Sequence, residues 1–159
     1  ALRDAMDKGY TEPDPRDDLS GLDVARKALI LGRLLGFRGE LKGVAVESLV
    51  TPATRRLTTA EFLRHLERDD ALWARRIAAA AARGRVLRYR AVATSRRVQV
   101  GLRLVDPSSP TASLNGTDNQ FVFTTLRYRD NPLVITGPGA GPAVTAAGVL
   151  NDLLQLAGN

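Results

Sequence analysis

Asp23 and Lys27 stand four residues apart in "LSGLDVARK". That spacing puts a carboxylate and an ammonium group on one face of a helix, where they pair readily. Such a pair is more often a solvated surface bridge than a catalytic one. Here it follows "YTEPDPRDD", so that Glu12, Asp14, Asp17, Asp18 and Asp23 fall within residues 10–23 of a chain whose formal net charge is +6. Capping and the helix dipole account for one or two carboxylates at a helix start. They do not account for Glu12 and Asp14, which precede Pro13 and Pro15 and are therefore held on stiff, extended backbone. Carboxylates so placed can hold an ammonium group, and a lysine one to two turns on can deliver a proton or stabilise an oxyanion. The substrate suggested is an amino acid with a reacting carbonyl or hydroxyl at its far end.

A second constellation lies near the other end. "VITGPGAGPAVTAAGVLNDLL" carries Gly137, Gly139 and Gly141 between a strand pattern and a helix pattern. Glycines there let a phosphate approach backbone N–H groups at a helix N-terminus. The spacing is G-x-G-x-G, and the residues that follow leave no room for the second strand and acidic ribose ligand of a complete Rossmann unit. Close packing in a tight turn, supported by Ala143, Ala146, Ala147 and Gly148, is the plainer explanation. A supporting contact to another domain's nucleotide stays open.

The elements that must position these residues can be read from the spacing of apolar side chains. "ALRDAMDKG" reads as the last turns of a helix closed by Gly9, as if the chain opened in mid-helix. A helix capped by Asp17, Asp18 or Ser20 is predicted to run to about Leu35, ended by Gly36 or Gly39. "VAVESLVT" is predicted as a strand, and "TTAEFLRHLERDD" and "ALWARRIAAAAARG" as two helices, the first capped by Thr58 or Thr59 and the second closed by Gly84. In "RRVQVGLRLV", Val98, Val100, Leu102 and Leu104 alternate with polar residues, the mark of a half-buried strand. "RVLRYRAVA" before it, across Thr94-Ser95, makes an antiparallel hairpin. "QFVFTTLRY" and "PLVIT" add strands, and a helix from about Pro142 to Ala157 finishes the chain. The order predicts one α+β domain over residues 1–159, with a mixed, largely antiparallel sheet covered by helices on one face.

Composition narrows the chemistry further. The chain has 159 residues, no cysteine and one histidine, His65, which excludes disulfides and thiolate metal sites and argues against a histidine-built zinc site; no metal is expected. No apolar run is long enough to span a bilayer, there is no secretory core, and a cytoplasmic location is expected. Residues 71–105 hold nine arginines and no acid. With few aromatics to stack bases, these arginines are expected to decorate an exposed face rather than to bind nucleic acid.

The stretch "GYTEPDPRDDLSGLDVARK" resembles the homoserine dehydrogenase family nearly letter for letter, and "ASLNGTDN" (112–119) and "NPLVITGPGAGPAVTAAGVLNDLL" (131–154) agree in the same order. The wording is nearest to fungal-type enzymes and to the dehydrogenase half of bifunctional aspartokinase fusions. The resemblance implies NAD(P)H-linked interconversion of L-aspartate 4-semialdehyde and L-homoserine. It implies that Lys27 is the general acid and that Asp23 orients it or its water. Glu12 and Asp18 would hold the substrate's ammonium and hydroxyl groups, with Tyr10 and the backbone at Gly9 and Thr11 lining the pocket. Gly141, with Gly139 beside it, would touch the nucleotide from the far side. Asp14 and Asp17 are left to capping or loop stiffening. The family's N-terminal Rossmann domain, with its fingerprint and a second active-site lysine, has no counterpart here. The chain is therefore expected to be a substrate-binding and dimerisation part, inactive alone, with a homodimer formed through the sheet. An amino-acid-binding module without chemistry, and an arginine-based nucleic-acid binder, are the alternatives.

Overall fold

The alternation at Val98–Val105 forms the strand it predicts, and that strand is the centre of the larger sheet. In the computed structural model, which describes residues 2–116, 118–139 and 141–158, the chain divides into two units, Ala1–Asp106 and Pro107–Asn159. Ala1, Thr117, Ala140 and Asn159, which touch the predicted first helix, the second matching block and the glycine loop, lie outside the described residues.

The first unit runs α1 (Leu2–Asp7), α2 (Pro15–Leu19), α3 (Leu22–Leu34), β1 (Ala45–Val46), α4 (Thr59–Ala81), β2 (Val86–Ala93) and β3 (Val98–Val105). β2 and β3 pair antiparallel, from Val86 opposite Val105 to Ala93 opposite Val98, and β1 joins the other edge of β3 in parallel. α3 packs Ala25, Ala28 and Leu29 onto Val98 and Val100, with Val44, Phe37, Tyr89 and Ala91 around them. Gly32 allows this approach: a Cβ there would stand 2.6 Å from a Val98 methyl. Ala79 and Ala80 of α4 share a groove with Leu87, Leu102 and Leu104, on the same side of the strand as Val98 and Val100. Both helices thus cover one face of a mixed sheet, as the alternation requires. Leu104, at the end of that row, is 45% exposed.

The second unit holds β4 (Asp118–Phe123) and β5 (Leu133–Pro138), an antiparallel pair in a sheet of its own, followed by α5 (Pro142–Ala157). The strands therefore form a three-stranded and a two-stranded sheet rather than one.

Several boundaries differ from the sequence reading, each for a local reason. The single helix predicted to Leu35 is two: Asp14, not Asp17, Asp18 or Ser20, caps the short α2, and Gly21 at φ 76° separates it from α3. The two helices predicted after Thr58 are one 23-residue helix, because no Gly or Pro interrupts residues 59–81. The strand predicted over 44–51 shrinks to two residues. Just beyond it, the Ser48 hydroxyl bonds the Val50 N–H and C=O and turns the backbone away from the ladder. β4 ends at Phe123 rather than continuing to Tyr128. The glycine ends are as expected. At Gly9, Gly36 and Gly84, φ is 68°, 95° and 63°, and the N–H of the following residue reaches back to Ala5, Gly32 and Ala80.

Candidate functional site

The acidic segment is built from the α1 C-terminus, a proline-stiffened loop and two consecutive helices. Gly9 closes α1 and turns the chain so that Tyr10 stands out, 62% exposed. Asp14 caps α2 by accepting the Arg16 N–H at 3.0 Å, with Pro15 in the first helical position, where its missing N–H costs nothing. Asp18, on α2, accepts the Glu12 backbone N–H at 2.9 Å. One Asp18 oxygen therefore fixes the loop at Glu12, so Asp18 shapes the segment as well as facing it. The Glu12 side chain is exposed.

α3 carries the next two groups. Asp23 Oδ2 and Lys27 Nζ are 2.9 Å apart, one turn from each other, with side chains 63% and 51% exposed. They occupy the side of α3 opposite the buried Ala25, Ala28 and Leu29. The start of α3 is pinned from below. Gly21 is buried, and a Cβ there would overlap the Tyr89 hydroxyl, which itself donates to the Glu47 carbonyl at 2.8 Å. Burial, and after it the Glu47 carboxylate, pushes the Tyr89 phenol above its ordinary value, so it remains a hydrogen-bond donor.

The charge of Asp14 is tuned by its neighbour. The Arg16 side-chain hydrogen bonds, then the Arg16 backbone N–H, hold its carboxyl below the usual range. Arg16 is the only Lys or Arg between Lys8 and Arg26, and this lone cation in the acidic run is the signal in the sequence for a carboxylate with a partner of its own. Asp14 thereby leaves the pool of groups free to meet a ligand. Asp17, whose carbonyl accepts the Ser20 hydroxyl, is exposed. Capping therefore does explain Asp14, which its place before Pro15 had set apart from the helix start. Glu12, Asp18, Asp23 and Lys27 are left facing outward on rigid supports.

An open groove of about 500 Å³ nearby is bounded by Asp14, Arg16, Asp17, Ser20 and Leu22, among others, and by none of Glu12, Asp18, Asp23 and Lys27. Among the described residues no cluster of three His, Cys, Asp or Glu side chains could hold a metal ion. No helix among them is long and apolar enough to cross a membrane.

In the second unit the glycines divide by role. A Cβ at Gly139 would overlap the Asn119 side-chain amide, so the two matching blocks meet there and the missing side chain is explained by packing. Gly141 differs. Its φ is 134°, it precedes α5, and a Cβ there would meet no heavy atom within 4 Å. Its backbone is open to approach.

The nine arginines of residues 71–105 are spread over α4, β2, β3 and the turns between them. Arg76 lies over the Trp73 ring, Arg85 pairs with Asp106 at 3.1 Å, and Arg103 stands 3.7 Å from Glu47.

Comparison with known proteins bears on the whole chain. The family model described as homoserine dehydrogenase matches residues 1–154. The bifunctional aspartokinase/homoserine dehydrogenase 1, chloroplastic, of Zea mays is 50% identical over 98% of this chain and 17% of its own length. The homoserine dehydrogenase of Paracoccidioides brasiliensis is 47% identical over 96% of this chain and 42% of its own. A crystal structure of a Candida auris protein of unknown function superimposes with a TM-score of 0.92, at 45% identity, covering 99% of this chain and 45% of that one. The chain thus spans less than half the length of each.

Proposed function

Since the chain belongs to the homoserine dehydrogenase family, we propose that it is the substrate-binding and catalytic part of an enzyme interconverting L-homoserine and L-aspartate 4-semialdehyde. The observation that carries this reading is the Asp23–Lys27 pair, 2.9 Å apart on the open side of α3 directly after the acidic loop. Glu12 and the free oxygen of Asp18 hold the substrate's ammonium and hydroxyl groups, with Tyr10, Gly9 and Thr11 at the wall. Lys27 Nζ donates a proton to the oxygen as the aldehyde is reduced, and takes it back in the oxidation. Asp23, paired with Lys27 at 2.9 Å, orients Lys27 or its water. NAD(P), when bound, supplies the hydride chemistry. The open backbone at Gly141 suits a contact to that dinucleotide, and Gly139, packed on Asn119, supports the turn. The main cradle belongs to a nucleotide-binding domain outside this chain, so the 159 residues alone are expected to be inactive. A homodimer through the sheet, and a cytoplasmic role in the formation of threonine and methionine, belong to the same reading.

The test is turnover of L-homoserine with NAD(P) by the complete protein, beside its Lys27→Ala variant. Removing the proton donor should lower kcat at least about a hundredfold while the variant still folds. A well-folded complete protein without homoserine-dependent turnover, or a Lys27→Ala variant with ordinary kcat, would end the proposal. Titration of this chain with L-homoserine should shift resonances at residues 9–27, more weakly with L-norvaline, which lacks the hydroxyl.

A further inference from the structure

We propose that Arg16 is a positioning residue for the amino-acid substrate, the clasp that sets α2 and the Glu12 loop in place against the start of α4. The inference rests on the reading given above for the acidic segment. α2 has five residues, far too short to be stable alone, so contacts rather than propensity decide where it sits. At its C-terminal end the Leu19 carbonyl accepts the Leu49 N–H at 3.0 Å. At its N-terminal end Pro15 is fully buried, and the polar contacts to the rest of the fold come from one side chain. Arg16 Nε stands 2.9 and 3.0 Å from the two Asp14 oxygens. Nη1 donates to the carbonyls of Leu57 and, at 3.2 Å, Arg55, some forty residues further along the chain. The guanidinium lies 5.6 Å from the centre of the Phe62 ring, and Phe62 is wholly buried in the first turn of α4.

The Arg16 side chain is 19% exposed and its charge is already answered by Asp14, so it is not a free cation awaiting a substrate carboxylate. Its consequence for a ligand is indirect. The orientation of α2 fixes the Asp18 carboxylate, and Asp18 Oδ2 fixes the backbone at Glu12. A turn of α2 would therefore move both groups that face the substrate. Lysine cannot replace the clasp: a point ammonium cannot grip a carboxylate with two parallel bonds, reach two carbonyls and lie flat on a ring together.

The experiment is steady-state kinetics on the complete enzyme with Arg16→Lys and Asp14→Asn. Asn still accepts the capping bond, so the second variant keeps α2 while losing the ion pair. Both variants should raise KM for L-homoserine, Arg16→Lys by about tenfold or more, with KM for the nucleotide within about twofold of the parent. A merely structural role would lower the melting temperature and leave that KM ratio unmoved. Folded variants with homoserine KM within about twofold of the parent would overturn the proposal. If Arg16→Lys does not fold, Asp14→Asn decides alone. A complete parent enzyme that does not turn over homoserine at all would sink the earlier reading, and this one with it.

Discussion

Lys27 is held by its pair with Asp23 and by little else, since both side chains are more than half exposed. An exposed pair of this kind contributes about 0–1 kcal/mol to stability. Asp23→Asn should therefore leave the melting temperature nearly unchanged while lowering turnover of the complete enzyme. Calorimetry beside kinetics checks this, and a large loss of stability would show the pair to be structural. Asp14 and Glu61 behave differently. Arg16 lowers the first and the Thr58 hydroxyl lowers the second, both by side-chain hydrogen bonds. A carboxyl depressed in the folded state contributes stability that is complete above its unfolded value and is lost as pH falls through the folded one. Resistance to urea should accordingly decline as pH drops from about 5 toward 3, and more shallowly in Asp14→Asn and Glu61→Gln. Identical pH profiles for parent and variants would contradict this assignment.

At the scale of elements, the site depends on two helix starts. α3 begins at Gly21, where a left-handed φ of 76° and the Tyr89 hydroxyl leave no place for a side chain. Gly21→Ala should cost about 2 kcal/mol or more and displace the Asp23–Lys27 turn. Denaturant unfolding measures the first effect and homoserine KM the second. α4 begins at a capping box: Thr58 Oγ1 accepts the Glu61 N–H at 3.3 Å, and the Glu61 carboxylate accepts the Thr58 N–H at 2.8 Å. Thr58→Ala should cost about 1 kcal/mol. It should also loosen the turn whose carbonyls receive Arg16, which a modest rise in homoserine KM would reveal.

For the whole molecule, the informative surface is that of α5. The helix buries none of its residues, and Leu150, Leu153, Leu154 and Leu156 are 55–77% exposed. Contiguous apolar surface of this kind marks an interaction site. The chain by itself is expected to self-associate and to bind a hydrophobic dye. Leu153→Lys with Leu154→Lys should suppress the dye signal and any association beyond a dimer formed through the sheet, as read by fluorescence and sedimentation. A monodisperse parent chain that ignores the dye would count against this. The nine arginines of residues 71–105 are dispersed over several elements, and Arg85 and Arg103 among them stand beside acids.

Much of this was legible in the residues alone because the signals are local. Period-two alternation made the β2–β3 hairpin, glycines after apolar periods closed three helices, and i, i+4 spacing brought Asp23 to Lys27. Each rests on neighbours within a few positions, and the backbone geometry that joins them is fixed. What only the tertiary structure decided lies between distant residues. Arg16 sits in an acidic run, and nothing in its surroundings along the chain announces the carbonyls of Arg55 and Leu57 or the ring of Phe62. Gly21 looks like an ordinary turn until Tyr89 is found against it, and the close packing expected at the glycine run has no visible partner until Asn119 is found at Gly139. Packing is a property of pairs brought together by folding, so its demands on a residue are written elsewhere in the chain.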